Sequence, residues 1–333
     1  MSSLILKNKF LLMGVGIILA VVVAFFAFGG ERVISISGGG EKVQLAGIYP
    51  ISALSGIECQ NADRRPVAVM LASDPETRPL SGVGRADIVF EMPVTPDGIT
   101  RIMAVYQCEL PDEIGSIRSS RLDFVPLAKG LNAIYAHWGG EREALKELNA
   151  GVIDNIDGLK YENIYYFRKP DRPRPHNGFT SEDLIEKAIA KLGYNNTNTF
   201  SGYTHAASRD RGSISPPEIF NSDFSGKVKW EYEPVSNLYL RSRNGRPEID
   251  KNTGKQVEAA NVVIMETTSS PIDKDYIRVK TLGSGRAVIY QNGLAVSGKW
   301  VKEKDSDRLL FSDDGGREVP FTPGMIWIEI TIN

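Results

Sequence analysis

Residues 66–71 read Pro-Val-Ala-Val-Met-Leu, a continuous apolar run that is typical of a strand buried on both faces of a sheet. Two similar runs follow at residues 86–91 (ADIVFE) and 101–106 (RIMAVY). Two prolines, an aspartate and a glycine lie between these two runs and supply the chemistry of a turn. The three runs predict three strands at the start of an α/β domain.

Helical patterns follow these strands. Residues 123–130 and 141–149 repeat apolar side chains at helical intervals, and each segment ends near a Gly or an Asn. The clearest helix has Thr180 or Ser181 as its N-cap and stops at Gly193. Strands interleaved with helices predict an α/β N-terminal domain over residues 53–200.

Strand patterns dominate the last third of the chain. The segments with alternating apolar and polar side chains are residues 227–232, 237–241, 276–280, 286–290 and 326–332. Turn pairs such as Asn244-Gly245 and Asn292-Gly293 separate them. We therefore predict a small, mostly antiparallel all-β C-terminal domain over residues 226–333, built as a barrel or sandwich that includes the last strand.

A long apolar run near the N-terminus predicts one transmembrane helix. Residues 10–30 contain no charge, proline or amide side chain, and about 20 helical residues cross a hydrocarbon core of roughly 30 Å. Lys7 and Lys9 precede the run, whereas the charges of Glu31 and Arg32 cancel after it. The positive-inside rule therefore places the short N-terminus in the cytoplasm and exports the rest of the chain.

Two alternatives to the anchor are open. A cleaved signal peptide would have a shorter apolar run ending in small residues, whereas Phe25, Phe26 and Phe28 fill the end of this one. A buried core helix would not be followed by a tether rich in Gly and Ser. The predicted organisation is a cytoplasmic segment (1–9), an anchor in the plasma membrane (10–30), a tether (31–52), the α/β domain, a linker (201–225) and the β domain.

Composition limits the partners that the chain can have. The 333 residues carry a formal charge of −2, which gives no electrostatic reason to expect nucleic acid. Cys59 lies just before the first predicted strand and Cys108 just after the third. If these strands are neighbours, the two cysteines can form a disulfide in an exported protein, and two buried thiols are the alternative.

Two arginines three residues apart form the first candidate site. Arg118 and Arg121 flank two serines, and we expect a helix to begin at about Ser120. A helix N-terminus with serine and arginine donors binds anions. The alternative is a capping cluster with surface ion pairs.

Histidine is scarce, and two of the three histidines lie at suggestive positions. His137 follows an apolar segment and precedes two glycines, and His176 lies in a loop stiffened by prolines. Either one is a candidate general base, with Asp123 or Asp154 as the carboxylate that orients it. Either one can also be a buried structural histidine, and His205 lies in the predicted linker.

Metal and serine-nucleophile sites find weaker support. A metal site would need His137, His176 and an aspartate to converge, although no metal-binding spacing is present. A serine triad would use Ser119 or Ser120 without the Gly-x-Ser-x-Gly elbow. We therefore predict no metal and no cofactor.

The motifs together resemble the YerB-type lipoprotein family of bacteria, known as domain of unknown function 3048. The resembling segments of the first domain are residues 65–70, 78–83, 86–91, 99–101, 115–121, 137–140 and 175–177. Those of the second are Asp250 and residues 253–254, 261–263, 298–300 and 323–327. The likeness runs in order over residues 53–332.

The resemblance implies an exported, envelope-associated protein of two domains, and it favours the arginines and histidines above as a site. The chain departs from the family pattern at two places. Ser116 stands where the family usually has proline, and the cysteine that carries the lipid in the lipoproteins is absent. A transmembrane anchor would tether the chain in the same way.

These observations lead to three hypotheses of function. The first is a binding module for an anionic or saccharide ligand of the envelope, whose contacts would be Arg118, Ser119, Arg121, His137, Arg168, His176 and Asn177. The second is a hydrolase or transferase that acts on the cell wall, with His137 or His176 as its base. The third is a structural or protein-interaction module without enzymatic activity.

Overall fold

A computed structural model describes residues 49–206, the backbone of 219–221, Phe224, and residues 226–332. Within these ranges, no helix is both long and apolar enough to cross a membrane. The predicted cytoplasmic segment, the anchor at residues 10–30, nearly all of the tether and the middle of the predicted linker lie outside the described residues. Those assignments stay predictions.

The N-terminal half alternates strands with short helices, which confirms the α/β prediction. Its strands are β1 (Val67–Ala72), β2 (Ile88–Pro93), β3 (Thr100–Tyr106), β4 (Ile114–Gly115), β5 (Ile134–His137), β6 (Asn155–Asp157), β7 (Phe167–Arg168) and β8 (Gly178–Thr180). Its α-helices are α1 (Val125–Gly130), α2 (Arg142–Asn149), α3 (Gly158–Tyr161) and α4 (Glu182–Leu192), and its 3₁₀ turns are Pro75–Thr77, Val83–Arg85 and Leu122–Phe124.

The described part of the C-terminal half is built from strands. They are β9 (Ile219–Asn221), β10 (Val228–Glu233), β11 (Leu238–Arg243), β12 (Arg246–Pro247), β13 (Glu258–Ala259), β14 (Asn261–Thr267), β15 (Ser269–Pro271), β16 (Ile277–Val279), β17 (Gly283–Gln291), β18 (Leu294–Lys302), β19 (Leu310–Asp313) and β20 (Ile326–Ile332). Asn244-Gly245 and Asn292-Gly293 turn two hairpins with positive φ at both residues, as their sequence predicts.

One sheet of ten strands takes five strands from each half of the chain. Its order is β19-β18-β17-β14-β20-β2-β3-β1-β5-β6. The two halves meet where β2 and β20 pair in parallel, with Ile88 opposite Ile326 and Glu91 opposite Glu329. The β-rich character of the C-terminal half is confirmed. The expectation of a separate barrel or sandwich is wrong, because β20 pairs with β2 as well as with β14.

The central strands are apolar on both faces because both faces of the sheet are covered. Every residue of β1, β2 and β3 is buried. Alternate side chains of β1 enter different clusters: Met70 packs with Phe90 and Ile328, whereas Val69 packs with Val89 and Trp327. This double burial explains why the first segment reads as an unbroken apolar run.

Smaller sheets flank the large one. β12-β11-β10-β9 form a sheet in which β13 also pairs with β11, and β4-β8-β7 form another. β15 and β16 form an antiparallel hairpin. Helix α4 starts at the predicted cap, where the Ser181 side chain accepts a hydrogen bond from the Leu184 amide, and it ends at Gly193 with φ of 70°.

A disulfide joins Cys59 to Cys108, with 5.6 Å between the two Cα atoms, which confirms the predicted pairing. β1 and β3 are neighbours, as the pairing requires. Cys108 follows the end of β3, so the bridge lies at the edge of the sheet opposite to the one where β3 begins. Closing a loop of this length stabilises the fold by about 4 kcal/mol on the chain-entropy model.

Candidate functional site

The carboxyl ends of β1, β5 and β6 lie at one edge of the large sheet, because these strands are parallel. β3 runs in the opposite direction and begins at this edge, where Arg101 pairs with Ala72. Ligands of open α/β sheets bind at such edges. The segment 116–121 crosses it: the Arg118 amide donates to the Met70 carbonyl over 2.9 Å, and the Trp138 amide donates to the Arg118 carbonyl over 3.1 Å.

Three arginines gather at this edge, and we refer to Arg101, Arg118 and Arg121 as the arginine cluster. The Asp74 carboxylate lies 3.1 Å from Arg101 and 3.9 Å from Arg118. Among the described residues, no carboxylate lies within 4.0 Å of the Arg121 guanidinium, which instead covers the ring of Tyr276 at 4.8 Å. The three positive groups of the cluster therefore have one close negative group between them among the described residues, and it contacts two of the three.

Burial makes this excess of positive charge costly. Arg101 is 5% exposed and Arg121 is 7% exposed. Desolvation, together with the neighbouring guanidinium of Arg118, lowers the pKa of Arg101 to about 10. The Nε atoms of all three arginines are buried and have no hydrogen-bond partner within the part of the chain that the structure describes. Buried donors without acceptors are rare in folded proteins, so the cluster is suited to a ligand that brings acceptor oxygens.

His176 lies beside the arginine cluster. Burial, reinforced by the positive charge of Arg118, lowers the pKa of His176, so its ring is neutral at pH 7. Its Nδ1 atom is buried and has no hydrogen-bond partner among residues 49–206 and 226–332, while its backbone carbonyl accepts from the Ser116 hydroxyl over 2.7 Å. Of the predicted grouping, the structure places His176 within electrostatic range of Arg118, and it adds Arg101.

The helix expected at Ser120 begins later and is short. Arg121 has extended backbone angles, a single 3₁₀ turn starts at Leu122, and α1 has six residues. No side-chain cap is present at either start. The site therefore depends on side-chain charge, and the helix-terminus interpretation of the sequence was wrong.

A second charged cluster lies next to the first and differs from it in charge balance. It contains three arginines and three glutamates: Arg78, Arg241, Arg243, Glu91, Glu248 and Glu329. Arg241 is fully buried and lies 2.5 Å from both Glu91 and Glu329. Because its charges match one for one, we assign this balanced network to the scaffold.

The balanced network is fully satisfied at its carboxylates. Burial alone would raise the pKa of Glu91, but Arg241, Arg243 and the Thr100 hydroxyl outweigh it and lower the pKa to about 2. The Trp230 indole donates to Glu329 over 2.7 Å. The network joins β2 and β20 of the large sheet to β11.

His137 lies inside the core of the protein. Its side chain is completely buried, Nδ1 lies 2.8 Å from the Gly139 carbonyl, and Nε2 lies 3.2 Å from Asn155 Oδ1. Its ring also stacks on Tyr135. Both nitrogens are occupied inside the core, so His137 is a structural histidine in this conformation and is removed from the candidate bases and ligand contacts.

The two candidate carboxylates do not orient either histidine. Asp154 precedes β6, at the opposite edge of the sheet, and pairs with Arg65 at 2.6 Å. Asp123 is 5% exposed and accepts hydrogen bonds from the Val279 amide and from Arg278, both over 2.9 Å. Both carboxylates therefore hold the fold together.

The other predicted contacts form a neighbouring group. Arg168 pairs with Glu162 at 2.6 Å, donates to Asn177 Oδ1 over 2.8 Å, and covers the Trp138 ring at 4.2 Å. Arg168 and Asn177 are thus brought together, but the charge of Arg168 is neutralised. Ser119 is half-buried within the crossing segment.

The sequence did not predict three residues of this site, Asp74, Arg101 and Tyr276. Arg101 and Asp74 flank the ends of predicted strands, and a charged residue at a strand end is the signal that was available. Tyr276 comes from the β15–β16 hairpin of the other half of the chain. No local pattern connects that hairpin to β1.

A hollow of about 400 Å³ lies elsewhere, around Glu113, Lys169 and Lys251. Glu113 accepts a hydrogen bond from the Ser81 hydroxyl over 2.7 Å and pairs with Lys169. Its charged groups are mutually paired, in contrast to those of the arginine cluster. Among the described residues, no group of three or more His, Cys, Asp or Glu side chains could hold a metal ion.

Comparison with known proteins gives one consistent result. Residues 52–195 match the N-terminal domain of "Protein of unknown function (DUF3048)", and residues 220–328 match its C-terminal domain. The "Putative lipoprotein YerB" of Bacillus subtilis (strain 168) is 33% identical over 284 residues, which cover 83% of this chain and 85% of YerB. The crystal structure of Bacillus subtilis YerB superposes with a TM-score of 0.77 at 30% identity, covering 85% of this chain and 97% of that one.

Proposed function

Because this chain belongs to the DUF3048 family, whose members are described as proteins of unknown function, we propose a function from its site: it is an envelope protein that binds an anionic ligand through the arginine cluster. The proposal rests on one observation. Among the described residues, the one carboxylate within 4.0 Å of the arginine cluster is Asp74, which lies close to Arg101 and Arg118 but not to Arg121, although Arg101 and Arg121 are more than nine-tenths buried.

The adjacent balanced network supports this interpretation. Both clusters bury arginines at the same edge of β1 and β3, and they meet at consecutive residues: Ser73 and Thr100 contact Glu91, while Asp74 and Arg101 belong to the arginine cluster. In the balanced network, each of the three arginines is matched by one glutamate. An anionic ligand would supply the missing negative charge at the other cluster.

The proposed location at a membrane is based on the relative YerB and on the N-terminal sequence of this chain. YerB is named as a lipoprotein, and a lipoprotein is held at a membrane surface by its lipid. In this chain the apolar residues 10–30 would provide the tether, with the folded part outside the cytoplasm. The full chain should sediment with membranes after a carbonate wash, and a chain starting at Gly47 should not. Recovery of the full chain in the soluble fraction would contradict the anchor.

Ligand binding is tested by substitution within the arginine cluster. We expect the folded chain from Gly47 onward to bind at least one anion among inorganic phosphate, muropeptides and anionic wall polymers. Arg121→Ala should weaken that binding by about 10- to 100-fold, because each charge-assisted hydrogen bond is worth about 1.5–3 kcal/mol. Isothermal titration calorimetry at low salt measures the change.

Arg317→Ala is the matched control, because Arg317 is 86% exposed at the side chain and pairs with Asp313 on the far end of the large sheet. This variant should bind the anion as the wild type does. Equal binding by wild type, Arg121→Ala and Arg317→Ala would refute the assigned site.

The other two hypotheses find no specific support in the geometry. A hydrolase or transferase needs a base beside an orienting carboxylate, and the carboxylates nearest to His176 are Asp74, which pairs with Arg101, and the exposed Glu76. A protein-interaction role has no defined surface among the described residues. Ligand binding therefore stands as the proposed function.

A further inference from the structure

We propose that the ligand of the arginine cluster is a phosphorylated saccharide, whose phosphate lies against the arginines and whose sugar ring stacks on Tyr276. This inference rests on the proposed function and adds the class of ligand to it. Its basis is that one half-exposed aromatic ring lies directly beside the unbalanced positive charge.

Tyr276 is held in contact with the arginine cluster. The Arg121 guanidinium lies 4.8 Å from the centre of the tyrosine ring, and the phenol lies within electrostatic range of Arg101 and Arg118. The side chain is nevertheless 39% exposed. An aromatic side chain that contacts an arginine and is still partly exposed provides a surface for the apolar face of a sugar.

The hairpin that carries Tyr276 is firmly anchored. Ile277 and Val279 of β16 point into the core, so the side chains of Tyr276 and Arg278 point to the opposite face of the hairpin. Arg278 lies 2.9 Å from Asp123 and 2.8 Å from Glu141, and the Val279 amide donates to Asp123. Because these contacts fix the hairpin to the α/β half, Tyr276 is in place before any ligand arrives, which reduces the entropic cost of stacking.

The charge of the cluster favours a dianion. Three guanidinium groups and the Asp74 carboxylate leave two positive charges uncompensated by close carboxylates among the described residues. A phosphate monoester carries a charge close to −2 at pH 7 and presents three acceptor oxygens, which matches three arginine donors. A carboxylate would supply one charge and two oxygens.

The test compares three probes with the full chain in detergent: inorganic phosphate, N-acetylglucosamine 1-phosphate and unphosphorylated N-acetylglucosamine. Wild type should bind the sugar phosphate about tenfold more tightly than inorganic phosphate, and it should bind the neutral sugar most weakly of the three. Tyr276→Ala should abolish the difference between sugar phosphate and phosphate, and Tyr276→Phe should keep it.

Tyr49→Ala is the control, because Tyr49 has a similar exposure of 36% and adjoins the disulfide at the opposite edge of the sheet. It should leave all three affinities unchanged. Circular dichroism and the urea midpoint of each variant establish that it is folded before binding is compared.

The outcomes separate this inference from the proposed function. If wild type binds phosphate and sugar phosphate equally, or if Tyr276→Ala keeps the preference, the saccharide inference is refuted while anion binding stands. If phosphate binds only as the headgroup of vesicles containing phosphatidic acid, the ligand is a lipid and the inference is likewise refuted. If no anion binds and Arg121→Ala changes nothing, both proposals fail.

Discussion

Neighbouring residues have opposite roles at the edge of the sheet because successive side chains of a strand point to opposite faces. Thr100 donates to the buried Glu91 over 2.6 Å, whereas Arg101, the next residue, joins Asp74 at 3.1 Å. Ser73 and Asp74, which follow the end of β1, divide between the two clusters in the same way, since Ser73 donates to Glu91 and Asp74 pairs with Arg101. The balanced network and the unbalanced arginine cluster therefore arise from the same two strand ends.

The two candidate histidines likewise separate at the scale of single residues. In the sequence, His137 precedes two glycines and His176 lies in a loop with several prolines. The sequence favours neither histidine over the other as a catalytic base. His137 contacts oxygen atoms at both ring nitrogens inside the core, whereas Nδ1 of His176 has no hydrogen-bond partner among the described residues and its ring lies near Arg118 and Arg101. Hydrogen-bond partners, which the sequence does not reveal, decide between them.

Asp123 should make the stability depend on pH. Burial raises its pKa from 3.8 to about 6, against the opposing influence of the Val279 amide and Arg278. Between these two values the folded state binds a proton that the unfolded state has released, so this contribution is complete below about pH 4 and is lost as the pH rises through 6. Its size is at most about 3 kcal/mol.

The comparison of wild type with Asp123→Asn isolates this effect, because the amide does not titrate. Urea unfolding at several pH values from 4 to 7 should show the stability of wild type falling relative to that of the variant. A difference that stays constant over this range, or that grows in favour of wild type, would contradict the raised pKa.

At the scale of elements, β20 and the β15–β16 hairpin bring the two halves together. β20 pairs in parallel with β2 and carries Glu329 opposite Glu91, and Arg241 of β11 forms ion pairs with both glutamates. The hairpin docks through Arg278 onto Asp123 and Glu141. In each of these two connections, a buried carboxylate of the N-terminal half pairs with an arginine of the C-terminal half.

Arg241→Met should destabilise the fold strongly. It leaves two glutamates side by side in the core with Arg243 as the remaining close cation of Glu91, and breaking a buried ion pair in this way costs about 3–5 kcal/mol. The same substitution at Arg85 is the control, since Arg85 and Glu109 are both about half exposed. Arg85→Met should cost less than about 1 kcal/mol. Similar urea midpoints for the two variants would show that the balanced network adds little to stability.

At the scale of the whole molecule, the two regions matched by the family model share one sheet. Separating them would expose the facing edges of β2 and β20 and would leave the charges of the balanced network without partners. We therefore expect that residues 226–333, expressed alone, do not unfold in a cooperative transition. Residues 53–200 should behave in the same way.

The chain from Gly47 onward is the control for that experiment and should unfold cooperatively in urea. Circular dichroism across a denaturant series provides the measurement. A C-terminal piece with a sharp transition of its own would mean that the shared sheet is not required for its folding, and the two regions would then be independent domains.

The sequence alone determined the elements of this protein. The runs at residues 66–71, 86–91 and 101–106 became β1, β2 and β3, the Ser181 cap and Gly193 stop bound α4, and the two Asn-Gly pairs turn hairpins. Each of these signals is local, because strand burial, capping and turn geometry depend on residues close together in the chain. To predict the disulfide, it was also necessary to assume that β1 and β3 are neighbouring strands.

Only the tertiary structure decided how those elements combine. It placed β20 between the two halves, buried His137, moved Asp154 to the opposite edge and brought Tyr276 and Arg101 to Arg118 and Arg121. These outcomes depend on strand order and on partners that lie far apart in the chain, such as Ile88 and Ile326 or Arg121 and Tyr276. Local pattern cannot specify which charges meet at a sheet edge, since the charge balance of a cluster is a property of the folded chain.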